Sequence, residues 1–373
     1  MDQETGGQKR GRYGLVVTLW VLIIGLLMSP VMSARASFVD PLDAAAASVL
    51  DPSAAPLLSV AKAGDHFVAV GPRGVIVIGT ISSDGMSVSW RQVAVPVQSD
   101  LVKVLFTDSQ NGWACGHDGV ILRSNDGGMH WTKVFDGIAA RKIFEAYYQD
   151  MSVSTDKSLA AAGTAALDEI KTNFDGGPSL PWLGMAFTNA DSGYVVGPFG
   201  DIAMIKGAQR DVVPLLDRID NPNFYSLNGI TSVGDKLYIA AEQGIVYAYD
   251  PVQQKFVQSS TGYQGNLFGI VGTQSILVAY GMNGTVYCST NGAKSWVLAK
   301  DASTSTIMNG VVLPDGRIVL VTVDGTVLMS ADQGKSFSLL PQTEDMPLAD
   351  VTPLNAKTLI VVGLGGVRYV GIQ

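Results

Sequence analysis

Short apolar runs rich in Val, Ile and Leu alternate with glycine-centred polar turns along almost the whole chain beyond residue 57. Residues 112–134 carry the pattern most plainly. Gly112-Trp113-Ala114-Cys115-Gly116 reads as a strand, and His117-Asp118-Gly119 as a tight turn whose glycine supplies a positive φ. Val120–Ser124 is the next strand, Asn125-Asp126-Gly127-Gly128 a second turn, and His130–Val134 a third strand. The same phrase returns along the chain, so that Gly74, Gly119, Gly200, Gly244, Gly284, Gly325 and Gly366 occupy equivalent turns, spaced by 45, 81, 44, 40, 41 and 41 residues. An apolar strand precedes each copy, as in Leu101–Phe106, Leu267–Val271 and Ile307–Val312. A period of about 40–45 residues with about four strands per unit marks a β-propeller. Seven copies predict an all-β fold of seven blades, with the preceding apolar strands lining the axis.

Two segments break the period. The doubled spacing leaves residues 136–181 between blades two and three. Ile143, Phe144, Tyr147, Tyr148 and Met151 recur at helical intervals, and Leu159, Ala162, Ala166, Leu167 and Ile170 do so again after a cap at Ser154 or Thr155. These positions predict an inserted helical hairpin, stopped by Gly176-Gly177-Pro178; a degenerate eighth blade is the alternative. The last copy ends at Gln373 without an outer strand. Because an open sheet edge is a liability, Ser37–Asp40 are expected to supply that strand, unless the Ala-rich stretch Leu42–Leu50 forms a short helix instead.

Ahead of the repeats, Lys9, Arg10 and Arg12 precede an apolar run from Gly14 to Met28, then Pro30 and Ala34-Arg35-Ala36. A basic segment, a short apolar run and an A-x-A site read as an export signal over residues 1–36, leaving 37–373 as the mature propeller. The expected location is periplasmic; an uncleaved signal that keeps the protein at the inner membrane is the alternative. No cysteine lies near the cleavage site, so no lipid anchor is expected.

Composition narrows the function. The 25 basic and 33 acidic residues give a net charge of −8, without the basic footprint of a nucleic-acid binder. Cys115 and Cys288 fall in different repeats and read as buried free thiols. His66, His117 and His130 have no metal-ligand spacing, no nucleophile elbow occurs, and the glycine-rich runs lead into no helix. Neither a metal nor a small-molecule cofactor is expected.

Several third turns share more than glycine. Ser124-x-Asp126-x-Gly128-x-x-Trp131 fits the Asp-box S-x-D-x-G-x-x-W; Ser330, Asp332, Gly334 and Phe337 repeat it with Phe for Trp. Ser289, Asn291 and Trp296 form a copy with Asn for Asp, and Ser82-Ser83-Asp84-Gly85 with Trp90 a stretched one. In such a box the carboxylate accepts backbone N–H groups across the turn and the aromatic packs between sheets, a structural role.

The run from Asn111 to Trp131 closely resembles the photosystem II stability/assembly-factor family, whose pattern joins G-W-x-x-G-x-x-G to an Asp-box. The resemblance implies an exported seven-bladed propeller without catalytic residues, binding an integral membrane protein or envelope complex during assembly. In non-photosynthetic bacteria it implies an accessory role, with a resistance-nodulation-division-type transporter as one setting. Lys206-Gly207-Ala208 and Tyr249-Asp250-Pro251 stand where Asp-boxes would fall in blades three and four, and these departures favour a non-photosynthetic relative.

A sialidase-like hydrolase or a glycan-binding propeller is the alternative, since sialidases use Asp-box propellers too. It would need clustered arginines, an acid/base Asp and a Tyr–Glu pair. The body has only Glu145, Glu169, Glu242 and Glu344, and its arginines are scattered over the blades. The partner face is instead expected where the strand-two to strand-three turns and the blade connections share one end. There the sequence places Arg73, His117, Asp118, Phe199, Glu242, Met282, Asn283, Val323 and Leu364, with the hairpin rising beside them.

Overall fold

The computed structural model describes residues 39–372, apart from 84, 86, 178–180, 191, 207–210, 301–302 and 342–344. The export signal, Ser37, Phe38, Asp84, Pro178, Gly207, Ala208, Arg210 and Glu344 lie outside the described residues. No helix among the described residues is long and apolar enough to cross a membrane.

Seven antiparallel sheets follow one another along the chain: residues 59–92, 101–135, 184–214, 227–260, 267–298, 307–339 and 348–371 form blades one to seven. Blades one to six have four strands each in simple up-and-down order, and blade seven has three. The inner strands touch in cyclic order, and that of blade seven (Leu348–Asn355) meets that of blade one (Ser59–Ala63). The second strands, such as His66–Val70, Ile276–Gly281 and Ile318–Thr322, are buried along nearly their whole length. They are apolar on both faces because each sheet is sandwiched between two others. The core accordingly lies between blades: Val68 and Ile78 of blade one pack with Leu122 and Trp131 of blade two, and Val278 of blade five with Leu320 and Leu328 of blade six.

The seven turn glycines anticipated from the period all have positive φ, between 65° and 89°. At Gly366 the requirement is also steric, since a Cβ there would fall 2.1 Å from the Ser53 carbonyl oxygen. Just after residues 132–135, the outer strand of blade two, come helices α1 (Gly137–Ser152) and α2 (Lys157–Asn173). Asp136 caps α1. Asp156, rather than Ser154 or Thr155, caps α2 by accepting from the Ser158 and Leu159 N–H groups. Its carboxylate meets those donors directly. Ala140, Phe144, Tyr148, Ala166, Leu167, Ile170 and Phe174 enter one core with Trp113 and Phe135 of blade two and Val195 and Ile205 of blade three. The hairpin therefore fills the junction between these blades. α1 packs on the turn His117–Gly119 and on the blade-three outer strand Asp211–Pro214.

The seventh blade corrects the expected closure. Asp40 is not in a strand: its carbonyl accepts from the Asp43 and Ala44 N–H groups, and its carboxylate from Leu42 N. The neighbouring Pro41 carbonyl accepts from Gln98 N, and Leu42 O from Lys133 Nζ at 2.8 Å, on the far side of blade one. Leu42–Leu50 is not helical either; it runs as an irregular strap in which Ala46 N donates to Val95 O. The strap reaches blade seven at Ser53, whose carbonyl accepts from Val367 N, and Leu57 N then donates to Gly363 O. The ring closes through its inner strands. Asp350 of blade seven, 3% exposed, accepts from Ser59 Oγ (2.7 Å) and Val60 N (3.1 Å) of blade one and pairs with Lys103 Nζ of blade two (3.5 Å).

Candidate partner-binding face

The turns between second and third strands repeat one backbone device. In blades one to five a residue in left-handed conformation precedes the turn glycine: Arg73, Asp118, Phe199, Gln243 and Asn283, with φ between 54° and 58°. The device folds each tip sharply outward and presents its side chains at the end of the ring where the blade connections also pass. Arg73 N donates to Asp100 Oδ1 at 2.7 Å, and Ser99 Oγ to Asp118 Oδ2 at 2.7 Å, so the tip of one blade is tied to a connection beside it.

The anticipated face residues all lie in the turns between second and third strands of their blades. Arg73, His117, Asn283 and the apolar Phe199 (50% exposed), Met282 (37%), Val323 (43%) and Leu364 (56%) stand exposed; Asp118 and Glu242 are half-buried. The charged tips fall on blades one, two and four and the apolar ones on blades three, five, six and seven. Phe199 is unusual: a bulky aromatic in left-handed conformation is disfavoured sterically, yet it is held there with half its surface in solvent. The outer side of the hairpin adds exposed Ile138, Ile143, Val153 and Leu159 nearby.

The Asp-boxes do the structural work expected of them. In blade two Ser124 Oγ donates to Asp126 Oδ1 (2.8 Å), Gly128 N to Ser124 Oγ (2.8 Å), His130 N to Asp126 Oδ1 (3.0 Å) and Trp131 Nε1 to Gly128 O (2.8 Å). Ser330, Asp332 and Gly334 repeat this, with Ser336 N on the carboxylate, and Ser289 and Asn291 do so with an amide. Hydrogen bonds from Ser336 hold the Asp332 carboxyl down at about 2. Each box also plugs into the blade before it, which the sequence did not show. Trp296 Nε1 donates to Ser259 Oγ of blade four, and Cys288 Sγ of blade five donates to Gly334 O of the blade-six box. Both cysteines are buried and free; burial pushes the Cys288 thiol up to about 12 and Cys115 higher still.

Down the axis lies a cavity of about 810 Å³ walled by the inner strands. Phe106, Phe187, Phe268 and Tyr280 line it with asparagines, and Lys103 is the one charged lining residue among those described. The arginines and the Tyr–Glu pair that a sialidase would require are not in this lining.

Two buried carboxylates escaped the sequence reading. Asp350 has been described. Asp201, 1% exposed, follows the blade-three turn glycine, where the other blades carry Val75, Val120, Ile245, Thr285, Thr326 and Val367. Neither of its carboxylate oxygens has a hydrogen-bond partner. Burial, then the negative charge of Glu169 on α2, drives its pKa well above the ordinary carboxyl range. Lining up the seven copies on the turn glycine exposes it as the lone acid in its column.

Comparison with known proteins agrees with this architecture. The family model described as photosynthesis system II assembly factor YCF48 matches residues 83–167. The photosystem II stability/assembly factor HCF136 of Cyanidioschyzon merolae is 27% identical over 94 residues, 24% of this chain and 22% of the relative. The photosystem II assembly lipoprotein Ycf48 of Synechococcus sp. strain CC9902 is 27% identical over 246 residues, 64% of this chain and 62% of the relative. This chain thus spans less than two thirds of those relatives' length. A solved structure described as YCF48 bound to D1 peptide superposes with a TM-score of 0.59 at 13% identity, over 90% of this chain and 98% of that one. The WD40 repeats of RRP9 superpose with a TM-score of 0.61 at 10% identity, over 88% and 97%, so these superpositions speak to the fold alone.

Proposed function

We propose that this chain, a photosystem II assembly-factor-like Asp-box propeller, is an exported, non-catalytic module that binds a membrane-protein partner through the tips of its second turns. The observation that carries the reading is the set of equivalent turn tips repeated from blade to blade, with Phe199, Met282, Val323 and Leu364 each exposed. Apolar tips mixed with Arg73, His117 and Asn283 have the composition of a protein interface, in which a few aromatic anchors dominate and polar groups form the rim. The relative solved with a D1 peptide supports a client of membrane-protein type. Nothing in the tips favours a resistance-nodulation-division-type transporter over another envelope complex, and the reading stops at that class. A periplasmic location fits the signal-like segment and the relative described as a lipoprotein.

The test is capture of native membrane proteins in mild detergent, followed by mass spectrometry. Phe199→Asp combined with Met282→Asp should remove the captured partner while leaving the melting temperature within a few degrees of the parent. Unchanged capture by the double variant would reject the tip face. A glycan-binding propeller would instead lose an oligosaccharide on substitution within the axial cavity.

A further inference from the structure

The inserted hairpin is held to the ring unevenly. Its inward stripe is apolar: Phe144, Tyr148, Leu167, Ile170 and Phe174 pack with blades two and three. The polar contacts at its seat are poor. Among the described residues, six buried side-chain nitrogen or oxygen atoms have no hydrogen-bond partner, and four of them belong to the hairpin and its seat: Asn173 Nδ2, both Asp201 carboxylate oxygens and Asp217 Oδ1. Asn173 stands one helical turn beyond the buried Ile170, on the inward side of α2. Asp217 belongs to the turn Leu216–Arg218, on which α2 packs. One hydrogen bond crosses from the helices to blade three among the described residues: Leu216 N, just past the outer strand, donates to Tyr148 OH at 2.8 Å. Folded proteins leave few buried polar groups unpaired, so four at one seat mark a contact that stores a cost. The hairpin is also built as a unit. A Cβ at Gly163 of α2 would lie 2.6 Å from Ser152 N, so the two helices meet backbone to backbone. Gly176 and Gly177 follow α2; Gly177 has φ +118°, and a Cβ at either meets nothing within 4 Å. Glycine there supplies backbone freedom rather than packing.

We propose that the hairpin is a releasable lid, closed on blade three while Asp201 carries a proton and opening as a unit, ahead of the blades, more often once that proton is lost. In the closed form Asp201 has no donor to hold a negative charge, and Glu169 of α2 opposes it. The other titratable groups around the seat do not compensate. Asp217 is raised by burial, and the nearby cations are committed to it: Arg218 Nε pairs with Asp217 Oδ2 at 3.0 Å, and Lys255 acts on the same carboxyl. Tyr147 and Tyr148 of α1 are pushed further into their neutral forms by burial. The turn beneath α1 carries His117 and Asp118, the latter held by Ser99 Oγ, and Asp211 of the blade-three outer strand is exposed. The sign follows. On release Asp201 meets water and ionises at its ordinary value of 3.8, whereas in the closed form its value lies well above that. The lid is therefore most stable below 3.8 and weakens as pH rises through the closed-state value. Apolar packing of the hairpin keeps the closed form in the majority, and the proton sets how often it opens. Opening uncovers Phe144 and Phe174 on the hairpin and Val195 and Ile205 on blade three, apolar surface that the closed form hides. The device does not depend on the tip face.

Native-state amide hydrogen exchange on the full chain tests this, read as protection factors between pH 5 and pH 8 so that the intrinsic pH dependence of exchange cancels. Amides of α1 and α2 should exchange through an opening that leaves second strands such as His66–Val70 and Ile276–Gly281 protected. Their protection should fall about tenfold per pH unit, the consequence of one proton released on opening, and level off once the closed-state value of Asp201 is passed. Asp201→Asn, which cannot ionise, should flatten the fall to about twofold per unit or less. Glu169→Gln removes the facing charge from a half-buried position. It should make the fall level off at a lower pH and leave hairpin protection severalfold higher at pH 8. Equal protection of the hairpin and the second strands would mean that the hairpin opens only with the whole ring, and would overturn the proposal. So would parent protection that does not change with pH, or the same slope in Asp201→Asn. Should that variant fail to fold, a Glu169→Gln profile identical to the parent's overturns it instead.

Discussion

The propeller buries two aspartates at opposite sides of its ring and treats them in opposite ways. At the closing seam Asp350 accepts from Ser59 Oγ, Val60 N and its own neighbour Val351 N, and faces Lys103. Under the hairpin, Asp201 is as deeply buried and accepts from nothing. A buried carboxylate supplied with donors stitches elements together, whereas one without them is a standing cost of the fold. The repeat explains the contrast. Ser59, Lys103 and Asp350 each stand two residues after a buried leucine, Leu57, Leu101 and Leu348, at the start of their blades' inner strands. Three consecutive blades thus bring hydroxyl, ammonium and carboxylate to one place. On the other side of the ring the corresponding positions are glycines, Gly229 and Gly269, and the strands approach so closely that a Cβ at Gly229 would lie 2.7 Å from Phe268 O. The ring is zipped by close backbone approach on one side and pinned by polar groups at the seam.

The contrast is broken most sharply at the seam. Asp350→Ala orphans three donors and leaves Lys103 without its counter-charge. It should cost about 3–5 kcal/mol, the usual penalty for removing one partner of a buried pair, read as a lower midpoint in urea unfolding. Asp350→Asn, which keeps the shape and one acceptor oxygen, should lose roughly half as much. A cost below about 1 kcal/mol for the alanine variant would mean that apolar packing between blades seven and one closes the ring without the carboxylate.

At Asp201 the sign reverses. Asp201→Val restores the residue type found at this turn in blades one, two and seven, and should stabilise the protein by about 1–3 kcal/mol by removing an unsatisfied buried group. The pH dependence follows from the raised pKa. The folded state holds the proton longer than the unfolded chain, so stability is greatest below the ordinary value of 3.8 and declines as pH rises through the elevated folded pKa. The Asp-box carboxyls Asp126 and Asp332 are depressed and work in the other direction. The informative quantity is therefore the difference between variant and parent: the gain from Asp201→Val should be small at pH 4 and grow toward pH 7. A gain independent of pH would mean that Asp201 contributes through shape alone.

These two residues also mark how far the sequence could be read. The glycine period carried the blade count, because a left-handed turn admits few residues and repeats its choice. The Asp-box geometry was legible for the same reason: Ser, Asp and Gly satisfy a turn locally, within five residues. The inserted hairpin was legible from its helical spacing, although Ile143 and Leu159, counted with its apolar stripe, are largely exposed. Asp350 was not legible, since its partners lie 291 and 247 residues away and meet only when the ring closes. The closing strand was misassigned on the same ground. Asp40 was expected beside blade seven because a missing outer strand was taken as a gap to be filled, whereas inner-strand contact and the Asp350 seam already join the ends. Of the partner face, the tips could be placed by turn equivalence; the left-handed conformation of Phe199 could not.

That conformation allows function to be separated from stability, with the smallest expected energetic effect. In blades one, two, four and five the residue before the turn glycine is Arg73, Asp118, Gln243 or Asn283, all of them polar. Phe199 holds the same backbone with an aromatic ring, at a strain of about 1 kcal/mol relative to glycine. Half of that ring is buried on its own surface, and removing it forfeits a comparable amount of apolar contact. Phe199→Gly should consequently leave the unfolding free energy within about 1 kcal/mol of the parent. If the tips bind the partner, capture should fall at least tenfold, because a central aromatic anchor is where interface energy concentrates. Full capture by Phe199→Gly together with raised stability would show that the ring is strain without function, and would shift the interface to Met282, Val323 and Leu364.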